Sequence, residues 1–258
     1  MQGQRPANAA RRTGNQYHVC SKRIVHSLFL AYAGVEVDLR LVPVLTEPQT
    51  GDAGPTRLDE LTYVEIADWF CRDPRLLLPV GSCTQHGPHL PVGTDNQITE
   101  CLARAVCCRT GILLAPLLPY GVASREDLDL AGTAGLERKT LHRVLNELVE
   151  SWERQGLEEI TLLTGNGNVR HIQAMAMVLA KVVRVRSVDT RAIDVSRFLD
   201  SGGSDHAGEF DTSLMLHLAP DLVRRAPTDQ DYPSTATEQK GSRIYEYLVD
   251  CMVDRLGA

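Results

Sequence analysis

The chain has 258 residues, is 43% hydrophobic and 23% charged, and carries a net charge of −6. Those proportions suit a globular protein with a real core, sized for one large α/β domain or for one domain plus an appendage. The negative balance excludes a nucleic-acid or anionic membrane surface as the main partner, so no nucleic acid and no membrane are expected among its partners.

Residues 1–16 are polar and rich in Arg, Gly and Asn, and are expected to be disordered. Residues 17–45 suit a short helix and an alternating strand, "GVEVDLRLVPV", and residues 46–56 read as a linker. The stretch "KRIVHSLFLAYAGV" loosely resembles a signal peptide, but a long arm precedes it and His26 and Ser27 interrupt its apolar run. It is too short to span a bilayer, and Glu36, Asp38 and Arg40 follow it closely. Seven cysteines at irregular spacing, without a CxxC, read as reduced thiols of a cytoplasmic protein.

From Leu58 the texture changes. In "RLDELTYVEIADWF", Leu61, Val64, Ile66, Ala67 and Phe70 recur at helical spacing. "RLLLPVG" reads as a short buried strand. "DNQITECLARAVCCRTG" reads as a helix with Thr94 or Asp95 as N-cap and Gly111 as its stop. "ILLAPLLPYG" is a second expected strand. "ERKTLHRVLNELVESWERQG" is an amphipathic helix with Leu141, Leu145, Leu148 and Trp152 on one face. "EITLLTGNG" is a third strand ending in a glycine turn, followed by a helix in "HIQAMAMVLAKV" and a strand in "VVRVRSV". Two further helices are expected in "HAGEFDTSLMLHL" and "GSRIYEYLVDCMVDRL". The alternation implies a three-layer α/β sandwich, with a mostly parallel central sheet and helices on both faces. Ligands of such sheets sit at the carboxyl ends of the strands. "GSCTQHGPHLPVGTD", "LPYGVAS" and "TGNGN" all follow strands, so they should converge at one edge.

Five segments, in order, carry a resemblance: "LLLPVGSCTQHGPHLPVGTD", "LPYGVASREDLDLAGT", "ITLLTGNGN", "SDHAGEFDTSLML" and "STATEQKGSRIYEYLVD". From Leu58 to the C-terminus the chain resembles the creatininase family, which groups creatinine amidohydrolases with the peptidase that matures mycofactocin. The resemblance implies a creatininase-like α/β domain over 56–258, behind a partly disordered N-terminal extension over 1–55. It also implies a cytoplasmic homo-oligomer, usually a hexamer, in which two divalent metals activate a water for C–N bond hydrolysis.

The departures from the family pattern bear directly on that chemistry. The family's first motif reads GS-T-E-Q-H-G-P-H-L-P-L-G-T-D, with its Glu, first His and last Asp on metal. Here His86 and Asp95 remain, but Thr84 stands at the Glu position. The strand-end motif N-G-H-G-G-N supplies a ligand His; here Asn166 takes that place, and Asn168 matches a residue that is a ligand Glu in true creatininases. Asp127 stands at the His of S-x-x-H-x-x-F-P-G-T. His206, Ala207 and Gly208 keep H-A-G-x-x-E-T, with Asp211 for its Glu and Glu209 as an extra carboxylate.

A dinuclear cluster needs anionic oxygens to balance about four positive charges. Thr84, Asn166 and Asn168 are neutral oxygen donors, weak toward zinc. The expectation is therefore at most one divalent metal, zinc or manganese. It would sit on His86 and Asp95 with a recruited group from His206, Glu209, Asp127 or His171; a site with no metal is the other expectation. Bland roles compete at every position. His86 can bond its own loop, Asp95 can cap a helix, and Glu209 and Asp211 suit a helix start. His89, between Pro88 and Leu90, reads as structural.

His206 and Glu209 are the candidate acid–base groups, and Cys83, beside the lost Glu, is a candidate nucleophile with His206 or His86 as base. Thr84, Asp127, Asn166 and Asn168 are candidate substrate contacts. The sequence thus favours an amidohydrolase acting on an amide, lactam or peptide bond of a small molecule or peptide, at a remodelled centre. A silent scaffold subunit and a small-molecule binding protein are the competing readings.

Overall fold

The apolar runs between residues 75 and 189 pair into one parallel sheet. In the computed structural model, residues 54–203, 205–224 and 233–257 are described. The expectations for a helix and strand within 17–45, and for an extension ahead of the domain, lie outside the described residues.

The strands are β1 (Arg75–Pro79), β2 (Leu113–Leu114), β3 (Glu159–Thr164) and β4 (Arg184–Asp189). They lie in the order β2-β1-β3-β4, all parallel, with Leu77 opposite Leu114 and Thr161, and Leu163 opposite Val188. The helices are α1 (Tyr63–Arg72), α2 (Thr94–Thr110), α3 (Arg138–Gln155), α4 (Val169–Ala176), α5 (Glu209–Leu218) and α6 (Glu238–Leu256). Strand side chains alternate between faces, and both faces are apolar here. Leu77 and Leu163 pack with Ile98, Leu102, Phe210, Leu214 and Ile244 of α2, α5 and α6. Leu76, Leu78, Ile160 and Leu162 pack with Phe70, Leu141, Leu145 and Ala174 of α1, α3 and α4. This is the three-layer α/β arrangement that the alternation implied.

Local chemistry sets the boundaries. Thr62 and Glu65 form a reciprocal capping box at α1. Gly111 (φ +71°) and Gly156 (φ +103°) end α2 and α3 in the left-handed conformation. Two expectations change. "ILLAPLLPYG" yields only the two-residue β2, because Pro116 and Pro119 cannot donate to a ladder and the strand lies at the sheet edge. The helix expected to run to Val182 stops at Ala176. Side chains of α3 capture the next N–H groups: Leu179 N–H donates to Asn146 Oδ1 (3.0 Å), and Val182 N–H to Glu153 Oε1 (2.6 Å).

The order of connections positions the site. From β1 the chain crosses over α2 to β2 on one side. It then returns over α3 to β3 on the other. The strand order therefore reverses at β1, and the crevice beyond the carboxyl ends of β1 and β3 is where such a sheet opens to a ligand.

Candidate active site

Four strand-end segments border that crevice: the loop after β1, the segment after β2, the Gly165–Asn168 turn after β3, and a 3-10 turn, Thr190–Ala192, after β4. They enclose a cavity of about 460 Å³, lined by Thr84, Asp95, Asp127, Asn166, Arg191 and His206 among others. That volume suits a small molecule or a peptide end.

His86 is fully buried behind Asp95 and His206, which line the cavity. Its Nδ1 lies 3.0 Å from the Thr84 carbonyl, which only accepts, so Nδ1 carries the hydrogen. Nε2 faces Asp95 Oδ1 at 3.3 Å, an ion pair when the ring is protonated. Two acceptors do not face each other at that distance unless a positive charge lies on or between them. Burial pulls the His86 pKa down, but the Asp95 carboxylate, aided by Asp211, outweighs it and leaves a net rise. Asp95 is the mirror case. Burial pushes it up, yet His86, the Ser82 hydroxyl (2.6 Å) and Arg191 hold it below the ordinary carboxylate range.

His206 stacks against this pair, its ring centre 4.4 Å from that of His86. Its Nε2 donates to the Gln85 carbonyl at 2.8 Å, which makes Nδ1 the lone-pair nitrogen. Asp211, on the first turn of α5, is fully buried. Its Oδ2 accepts the Ala207 N–H (2.9 Å), and Ala207 adopts φ +55°, uncommon without glycine. One ligand atom each from His86, His206 and Asp211 fall within 4.8 Å of one another. Two imidazoles and a carboxylate are a ligand set that a divalent ion of the zinc type takes.

Residues 59–246 match the family model Creatininase, described as creatinine amidohydrolase. This chain belongs to the creatininase family. The mycofactocin precursor peptide peptidase of Mycobacterium ulcerans is 32% identical over 253 residues, covering 84% of this chain and 93% of that one. The creatinine amidohydrolase of Pseudomonas putida is 27% identical, with 76% and 94% covered. A solved creatininase variant described as of Zn-Zn type superposes with a TM-score of 0.68 at 24% identity, covering 79% of this chain and 98% of that one, a likeness of fold. Among the described residues no helix is long and apolar enough to cross a membrane.

Against this creatininase-family frame, the residues singled out from the sequence divide into three groups. His86, Asp95 and His206 come together, and Asp95 and His206 line the cavity. Asp95 is not the cap of α2: Gly93 holds that position, and the Asp95 side chain turns to Ser82 and His86. Thr84, Asp127, Asn166 and Asn168 line the walls. Asp127 is held by Gln85 Nε2 (2.8 Å) and Ser124 Oγ (2.5 Å). Asn166 spends much of its amide on backbone, accepting the Asn168 N–H at 2.8 Å, and Asn168 Oδ1 caps α4 through the Arg170 and His171 N–H groups.

Cys83 and Glu209, expected to be catalytic, point elsewhere. Cys83 Sγ lies 3.5 Å from the Gly132 carbonyl, and the residue does not line the cavity. Glu209 pairs with Lys240, which also holds Asp200, and accepts the Ser201 N–H at 2.8 Å. Burial works to raise its pKa, but Lys240 and the Ser201 and Asp200 N–H groups hold it at about 2. Glu209 thus locks α5 to α6 and the loop before them. His171, a candidate recruit, has both nitrogens engaged. Val122 N–H donates to Nδ1 and Nε2 donates to Thr164 Oγ1, each at 3.2 Å, while burial pushes the pKa down to about 4. Gly121 must be glycine for His171 to sit there, because a Cβ would lie 2.4 Å from the ring.

Sequence reasoning missed Arg191, together with Asp189, Asp205 and the tether Gln85. Arg191 follows a strand exactly as the three named loops do; extending the strand-end rule to "SVDTRAI" would have flagged it.

Proposed function

We propose that this protein hydrolyses a C–N bond, amide, lactam or peptide, of a small molecule or peptide end, using one divalent ion held by His86, His206 and Asp211. The observation that carries the reading is the convergence of one ligand atom each from His86, His206 and Asp211 within 4.8 Å of one another. When bound, the ion supplies Lewis acidity toward the scissile carbonyl and lowers the pKa of water.

The chain's own residues do the rest. The Thr84 carbonyl fixes the His86 tautomer and ring plane, and the Gln85 carbonyl does the same for His206. Asp95 supplies the negative charge that His86 faces. Asp127, held by Gln85 and Ser124 at the cavity wall, accepts a proton from the attacking water and returns it to the leaving nitrogen as the C–N bond breaks. Asn166 and Asn168 shape the opposite wall and orient the substrate. Zinc or manganese suits two imidazoles and a carboxylate. Two further expectations belong to this reading: a cytoplasmic location, supported by the free thiols of every described cysteine, and a homo-oligomer. The latter is supported by the exposed apolar run of Val169, Met177, Leu179 and Val182 and is tested by the mass in solution.

The test is turnover of a panel of small amides, lactams and short peptides, before and after chelation. The reading expects at least one substrate whose hydrolysis stops on chelation, returns with zinc or manganese, and is lost in His86→Ala. Turnover indifferent to chelation and to His86→Ala would refute it.

A further inference from the structure

Arg191 sits against Asp211. The 3-10 turn after β4 delivers it to the cavity wall, with its N–H on Asp189 Oδ1 at 2.9 Å. Nε donates to the Gly165 carbonyl at 2.7 Å, Nη2 to Asp211 Oδ1 at 2.5 Å, and the guanidinium lies 5.3 Å from the Phe210 ring centre. The side chain is 9% exposed. The "TGNGN" turn is built around it, since a Cβ on Gly167 would lie 2.7 Å from the Arg191 Cδ. A fixed positive charge therefore already rests on Asp211, one of the three groups that converge for a metal ion.

We propose that Arg191 is a resident cation standing in for a second metal ion, so that the centre takes one divalent ion, whose affinity is set by competition with the guanidinium for Asp211. The inference rests on the one-ion reading above and names the residue that enforces it. The occupancy of Asp211 gives the reason. Its Oδ1 accepts from the Arg191 guanidinium and its Oδ2 from the Ala207 N–H, so a divalent ion must share or displace the guanidinium to reach this carboxylate. Arginine suits the role because it stays charged when buried and its planar fork fixes direction.

The experiment measures zinc affinity by competition with a chromophoric chelator, and zinc per chain after equilibration and gel filtration. It uses the full chain, Arg191→Met, Arg191→Lys and Gly167→Ala, the last chosen to push Arg191 off its seat without removing it. Arg191→Met is expected to bind zinc roughly tenfold tighter or more, or to take up a second zinc. Arg191→Lys, which keeps the charge but not the fork, should fall between the parent and Arg191→Met, and Gly167→Ala should shift in the same direction as Arg191→Met by a smaller factor. Should Arg191→Met not fold, Gly167→Ala decides. Unchanged or weaker zinc binding in the folded variants would overturn the inference. Two zinc ions per parent chain would also overturn it, while leaving the amidohydrolase reading intact. Absence of zinc binding in every form would remove both, and chelation of an active enzyme distinguishes that case.

Discussion

The two walls of the cavity differ in kind. The wall from β1 and α5 concentrates charge: His86, Asp95, His206 and Asp211 are crowded together, with Arg191 against them. The wall from β3 is neutral, with Thr164, Asn166, Asn168 and His171 turned largely to backbone. The difference teaches that chemistry and positioning are separated here. One wall can carry a cation and move protons, while the other holds the loop shape that keeps the cavity open. The contrast also accounts for the two asparagines on the β3 side, which make turn and cap bonds.

The largest test breaks the charged wall. Asp211→Asn leaves the Arg191 guanidinium buried without its counter-charge, and it should cost about 3–5 kcal/mol of stability in urea unfolding. His86→Ala removes one of the three converging ligand atoms, and should lower metal affinity and kcat/KM by roughly a hundredfold or more, since even outer-shell losses cost about 10–100-fold. Retained melting temperature would show the effect is on the site.

The neutral wall should respond to pH instead. Burial depresses the folded-state pKa of His171 to about 4 from the ordinary histidine value of 6.5, so the unfolded chain takes up the proton first. The stabilisation is whole above pH 6.5 and is lost as pH falls toward 4. At its full extent it amounts to about 3 kcal/mol. Comparing urea midpoints of the parent and His171→Asn across that window isolates the contribution: the parent should lose stability more steeply. The smallest effect belongs to the cap. Asn168→Ala should cost about 1 kcal/mol, with little change in metal affinity.

Most of the fold was legible because strand and helix periods are strong over "RLLLP", "EITLLT" and the long helix Arg138–Gln155, and strand-end glycines predicted where the loops meet. The charged wall was legible in part. His86, Asp95 and His206 stood in motifs, but three-dimensional proximity decided between Asp211 and Glu209, two residues apart on one helix. Asp211 faces the Ala207 turn and Arg191, while Glu209 faces Lys240 of a helix that follows in sequence. No local pattern shows which way each of them turns. Arg191 escaped because a lone arginine after an exposed edge strand looks like a solvated charge until the Gly165–Gly167 turn folds over it.

The claim on which the account turns is that this site holds one divalent ion beside a resident guanidinium. The most direct measurement is the zinc content of the intact parent protein by mass spectrometry, after equilibration with excess zinc and removal of unbound ion. The account predicts one ion per chain, with hydrolysis that tracks its occupancy. Two firmly held ions per chain, or full hydrolytic activity at zero occupancy, would contradict it.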